Sequence, residues 1–205
     1  GGSIGAGIYM AGGPHRLQNV LIANNNCTVR PFGGDGIYLD GSAVFVNVTV
    51  VSNATIAPVY AGPREGIRLA AGDATVHNSI VWGNDDDLYG FPTNELGQLT
   101  NVSYTCIEDG DNVGVFGCVT NEPMFVDGVY FHLQAQNGYY TNSYFDGTVL
   151  RYSLKTSPLI DLGDPLSDFK NETRPNGNRI NMGAYGNTPC ASRSFTGRGI
   201  VFVIK

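Results

Sequence analysis

The stretch NSIVWGN, residues 78–84, decides how this chain reads. An asparagine opens it, a short apolar run follows, and Gly-Asn closes it. Nearly the same phrase stands upstream as NVLIANN (19–25) and NVTVVSN (47–53). Around these phrases three longer segments align: GAGIYMAGGPHRLQNVLIANN (5–25), GDGIYLDGSAVFVNVTVVSN (34–53) and REGIRLAAGDATVHNSIVWGN (64–84). Each reads Gly-Ile-x-(Leu/Met), a Gly-containing turn, a short strand, a marker residue, another short strand and a polar turn. A fourth segment, GQLTNVSYTCIEDG (97–110), keeps the second half. The marker asparagines are Asn19, Asn47, Asn78 and Asn101, at intervals of 28, 31 and 23 residues.

A repeat of roughly 20–50 residues means a solenoid, a propeller or an array. The unit is too short for a four-stranded blade, lacks the leucine spacing of a leucine-rich repeat, and has no run of helical period. The expected fold is therefore all-β: a right-handed parallel β-helix, a solenoid with one repeat per turn and a loop-rich C-terminal cap. The hand follows from the handedness of parallel crossovers. Four layers at about 4.8 Å each give a stack about 20 Å long. Along NSIVWGN, Ser79, Val81 and Gly83 share one face, and Asn78, Ile80, Trp82 and Asn84 the other. The marker asparagines either stack as a ladder of amides along the axis or serve the left-handed turn that asparagine tolerates. Both readings stay open, and neither is catalytic.

Composition agrees with many short strands and tight turns. The chain has 205 residues, 28 of them Gly, with 42% apolar and only 15% charged residues. A net charge of −6 argues against nucleic acid and anionic membrane surfaces as partners. No apolar run is long enough to span a bilayer. The opening GGSIGAGIYM already lies inside the repeat and reads as a mature or trimmed product. Cys27, Cys106, Cys118 and Cys190 lack metal spacing, and their even number allows two disulfides, with Cys106–Cys118 the nearest pair and Cys27–Cys190 the remainder. Sequons begin at Asn26, Asn47, Asn53, Asn101 and Asn171, although Asn- and Thr-rich strands generate such triplets by chance. Together these features favour an extracellular or cell-surface setting.

After residue 105 the pattern changes. YTCIEDGDNVGVFGCVTNEPMFVDG (104–128) leads to VYFHLQ (129–134), then YSLKTSPLIDLGDP (152–165) and RPNGNRINMGAYG (174–186). This order resembles the C-terminal end of secreted bacterial right-handed parallel β-helix proteins with a choice-of-anchor type region. The resemblance rests on Cys106, Ile107 and Glu108; Pro123, Phe125, Val126 and Asp127; His132 and Leu133; Ser157, Pro158, Ile160, Asp161, Gly163, Asp164 and Pro165; and Arg179, Met182, Gly183, Ala184 and Tyr185. It departs at Glu122, Asn181 and Gly186, and covers about residues 1–190. It implies the fold and an exported location, and no single activity; relatives of known chemistry are polysaccharide lyases and hydrolases. The organisation expected is β-helix turns over 1–120, a capping region of the same domain over 121–190, and a terminal β-strand tail over 191–205. GYYTNSYFDGTVLR (138–151) looks like an insertion.

In the capping region Asp161 and Asp164 flank Gly163 in a turn, and Arg179 could pair with one of them as a planar fork. The cap would cover the open end of the coil. Calcium is the cofactor to consider, because Asp85, Asp86 and Asp87 end one repeat while Asp109 and Asp111 follow a turn later; solvated acidic loops are the competing reading. Trp82, Tyr89, Tyr139 and Tyr140 could stack on sugar rings, or pack in the core. Glycosidase chemistry needs two facing carboxylates, and no spacing announces a pair. Arg64, Arg68 and Lys155 are available bases for lyase chemistry. His15, His77 and His132 have no spacing that suggests a triad or a metal site. The leading expectation is a non-catalytic extracellular scaffold or matrix subunit, with a homo-oligomer or filament as one form it could take. The alternative is a polysaccharide-binding or polysaccharide-cleaving module.

Overall fold

The computed structural model describes residues 7–25, 36–53, 65–141 and 149–195. Two long strands begin it, β1 (Ile8–Ala23) and β2 (Ile37–Val51). They pair in parallel along their length, Ile8 beside Ile37 and Ala23 beside Val51, with one register shift between Gly12 and His15. The third layer is broken into β3 (Glu65–Ala71), β4 (Ala74–His77) and β5 (Ile80–Trp82), all parallel to β2. The fourth is shorter still: β6 (Asp86–Tyr89) on β3, β7 (Val102–Ser103) on β4, and β8 (Cys106–Ile107) on β5. These eight strands form one sheet. Among the described residues there is no helix.

The inner side chains of β2 show how the sheet curls. Ile37, Leu39, Ala43, Phe45, Val48 and Val50 all enter one core cluster. Strict alternation would give steps of two. The steps lengthen across Gly41 and across Asn47, whose φ is 52°. Each irregular step is a bend that keeps the next apolar residues facing inward. Columns of equivalent residues then stack from layer to layer, such as Ile22, Val50, Val81 and Ile107.

Parallel, in-register stacking is what the repeat requires, but the right-handed β-helix solenoid expected from it does not form. The described strands make an open, curled parallel half-barrel, accompanied by a separate antiparallel pair. Repetition dictates which residues lie side by side, whereas closure depends on how far each bend turns the chain and on what packs outside it. Here the outside is occupied. The column Leu21, Thr49, Ile80 and Cys106 points outward, and Ile80 and Cys106 join a second cluster with Leu133, Ala135, Leu159, Ile160 and Met182. Leu21 packs against a third, with Tyr140, Ala184, Tyr185 and Cys190.

The C-terminal segment therefore lies on the outer face of the sheet, not over its end as a cap. The Ala184 N–H donates to Thr49 Oγ1 at 2.9 Å, and the Gly183 N–H to the Asn78 carbonyl at 2.8 Å. The end of the stack beyond β7 and β8 is covered by residues 112–119: Val119 bridges Cys106, and Cys118 joins the inner core with Phe91 and Leu99. The antiparallel pair is β9 (Tyr139–Thr141) with β10 (Val149–Arg151), at the ends of the segment read as an insertion. Residues 196–205 of the expected terminal strand lie outside the described residues.

Candidate functional site

Tyr9, Tyr38 and Arg68, each after a Gly-Ile, face outward in one column by register, and Tyr89, after Leu88, continues it. Tyr9 is 49% exposed and Tyr89 42%. The Tyr9 and Tyr38 rings stand 5.7 Å apart and tilted by 33°. The Arg68 guanidinium lies 4.6 Å from the centre of the Tyr89 ring and 6.0 Å from that of Tyr38. The charge thus stands within cation–π reach of two aromatic rings. A 2.8 Å ion pair to Glu65, a fully buried residue, fixes its position. The column presents a strip of aromatic surface with a held cation between its rings.

Of the aromatic residues expected to meet sugars, Tyr89 alone is exposed in this way. Trp82 and Tyr139 are half-buried against the outer cluster, and Tyr140 is buried. Tyr9 and Tyr38 were missed by the sequence reading, and Arg68 was considered only as a base for lyase chemistry, although their common place after Gly-Ile was visible in the repeat.

The acidic residues divide by environment. Asp87 is buried; its Oδ1 accepts from the Asn84 amide and its Oδ2 from the Glu108 N–H. Burial pushes its pKa up to about 7. Asp109 accepts from the Asp87 and Asp111 N–H groups. Asp86 and Asp111 are raised as well, by burial first and then by the charge of Asp109. Asp85 is exposed. Among the described residues, no three His, Cys, Asp or Glu side chains converge as a metal site.

The marker asparagines take the left-handed conformation, with φ of 54° at Asn19, 52° at Asn47 and 50° at Asn78. Their amides reach sideways into the C-terminal segment: Asn19 to the Ala184 and Gly186 carbonyls, Asn47 to those of Asn181 and Gly183, and Asn78 to the Ser167 hydroxyl. Asn101 is out of register, since Val102 pairs with Val76. The equivalent of Asn78 is Tyr104, whose φ is 46°. Asn101 instead bonds Asp73. A ladder of amides does exist, at the other end of the repeated phrase. Asn25 Nδ2 donates to Asn53 Oδ1 at 2.8 Å, and Asn53 Nδ2 to Asn84 Oδ1 at 3.1 Å. Gly7, Gly36 and Gly66 leave it room, for a Cβ on any of them would press on the adjacent amide nitrogen. The sequons at Asn47 and Asn53 are thus buried structural positions; that at Asn26 lies outside the described residues.

The expected Cys106–Cys118 disulfide is absent: both are free, buried thiols. They lie in different cores, Cys106 in the outer cluster and Cys118 in the inner one. Cys190 is buried in the third cluster, and its suggested partner Cys27 lies outside the described residues. Arg179 does not fork onto a carboxylate. It donates to the Gly163 and Leu162 carbonyls, while Asp161 accepts from Ser194.

Asp164 does something the sequence did not suggest. Its Oδ2 lies 3.2 Å from His77 Nε2, and the other ring nitrogen, Nδ1, lies 2.8 Å from Ser103 Oγ. His132, by contrast, is fully buried and stacks on Tyr185 at 3.8 Å. An open cleft elsewhere is lined by Glu122 and Lys155 together with Met124, Phe125, Gln134, Ser153 and Leu154.

No family model matches the chain, and no curated protein or solved structure is similar to it. Among the described residues no helix is long and apolar enough to cross a membrane.

Proposed function

We propose that this protein is an extracellular scaffold that binds polysaccharide along the Tyr9–Tyr38–Arg68–Tyr89 column. The observation that carries the reading is the exposure of Tyr9 and Tyr89 at the two ends of one in-register column, with Arg68 held between rings. Tyrosine edges and faces in a line suit a chain of sugar rings, and the guanidinium suits their hydroxyl or carboxylate groups. Binding is favoured over cleavage because the cleft lined by Glu122 and Lys155 carries a single carboxylate, whereas glycoside hydrolysis uses two. Arg68, one of the bases considered for a lyase, is tied to Glu65.

The test is binding of the purified protein to a broad panel of soluble polysaccharides, with and without calcium, by calorimetry. Tyr9→Ala and Tyr89→Ala should each weaken binding by about 0.5–1.5 kcal/mol, roughly two- to tenfold. Wild-type protein that binds nothing on the panel removes this reading. Calcium that strengthens binding would place the ion in the function; equal binding in chelator would take it out.

A second reading, self-association into a filament or array, is favoured by the side chains of β1. Ile8, Leu17 and Val20 are half-buried where their neighbours Ile37, Phe45 and Val48 on β2 are fully buried. That leaves apolar surface at one end of the stack.

A further inference from the structure

We propose that Ser103, His77 and Asp164 form a nucleophile, base and orienting acid that hydrolyse small acyl esters. An ionised carboxylate only accepts, so the His77 nitrogen facing Asp164 Oδ2 carries the proton. In the neutral ring that leaves Nδ1 with its lone pair toward Ser103 Oγ, 2.8 Å away, and the hydroxyl is then the donor. Nucleophile, base and orienting acid are thus joined in order, through opposite nitrogens of one ring. Such a set is recognised by geometry and roles, not by sequence position.

The acid is itself fixed. Asp164 Oδ1 accepts from the Leu166 N–H, and its own N–H donates to Asn78 Oδ1. The Ser167 hydroxyl donates to Asp164 Oδ2 while accepting from the Asn78 amide. The Tyr104 ring stands edge-on to the imidazole at 5.7 Å. His77 and Ser103 pair in neighbouring parallel strands, so the sheet register holds base and nucleophile together. Ser103 is half-buried, and the His77 and Asp164 side chains are 28% and 18% exposed, so a reactant reaches the group from solvent.

In the reaction, Ser103 Oγ attacks the acyl carbon as its proton passes to His77 Nδ1. The Oγ–C bond forms, and the bond to the departing alcohol breaks with that proton going to the alcohol oxygen. Water then attacks the acyl-serine by the same route, releasing the carboxylic acid and restoring Ser103. Asp164 acts through His77 and is a positioning residue. This inference stands independently of the tyrosine column.

The experiment treats the full chain with a fluorophosphonate probe and follows p-nitrophenyl acetate hydrolysis. The expected result is covalent labelling at Ser103, located by peptide mass spectrometry, and turnover that falls at least about 100-fold in Ser103→Ala. Asp164→Asn should lower kcat more than it changes KM and shift the acid limb of the pH–rate profile, which a purely structural role would not do. Ser103→Ala is a small change at a half-exposed site, and circular dichroism checks that it folds. Wild-type protein that is folded yet leaves Ser103 unlabelled overturns the proposal, as does hydrolysis unchanged in Ser103→Ala.

Discussion

Asn53 is fully buried, and its side chain is fully employed. Its Nδ2 donates to the Ile22 carbonyl at 3.0 Å and to Asn84 Oδ1, while its Oδ1 accepts the Asn25 N–H and amide. Truncation removes these bonds and strands their partners without water, which costs about 1–3 kcal/mol. Asn53→Ala should therefore lower Tm, by roughly 2–4 °C for each kcal/mol lost in a chain of this size. Gly36→Ala should also destabilise, because the new methyl would stand 2.5 Å from the Gly66 carbonyl oxygen and 2.7 Å from Val50 Cγ1. Gly128→Ala, which meets nothing within 4 Å, serves as the control. Thermal melts of the three decide it; an unchanged Tm for Asn53→Ala would mean the ladder is incidental. The recurrence of asparagine was plain in the sequence, but not which asparagine stacks. The repeated phrase begins and ends with one. Only the bend at the first, which turns its amide sideways, and the glycine beside the second separate their roles.

At the scale of elements, Glu172 ties the C-terminal segment into shape. It is buried, and its Oε1 accepts the N–H groups of Asn181 and Asn187. Its Oε2 is buried and has no hydrogen-bond partner among the described residues. Burial pushes its pKa up to about 7, as it does for Asp87 at the end of β6. In the unfolded chain both ionise near pH 4. Between those limits the folded protein binds more protons than the unfolded one. Stability from these groups is complete below about pH 4 and is lost as pH rises through about 7. The urea midpoint should therefore be higher at pH 5 than at pH 8. Glu172→Gln keeps an acceptor for Asn181 and Asn187 but has no charge to bury, so its midpoint should fall less over that interval. An equal fall in wild type and variant would show that Glu172 is not the group responsible. Nothing in the residues around Glu172 marks it in the sequence as a buried acid. Its environment is made by chain brought together from Phe169 to Asn187.

For the whole molecule, the asymmetry of the stack matters most. One end is covered by residues 112–119, and the other is β1, which among the described residues pairs with β2 alone. Within β1, Pro14 lacks a donor N–H, the register shifts between Gly12 and His15, and Arg16 is exposed. Such features blunt an edge against further pairing, so assembly through β1 ranks below polysaccharide binding. Negative-stain microscopy and sedimentation at high concentration test it. Association through β1 should be reversible and abolished by Val20→Lys, whereas uniform single particles would remove the assembly reading. The sequence by itself determined that the chain is β-structured and that its first three repeats stack in parallel with their equivalent strands side by side. These follow from local pattern, because equivalent residues must lie side by side when repeats stack. The tertiary structure alone decided that the sheet curls halfway, that the C-terminal segment lies on its outer face, that Cys106 and Cys118 sit in separate cores, and that His77 meets Asp164. Those contacts join residues far apart in the chain, and no local pattern specifies the angle of a bend or the surface onto which a loop folds.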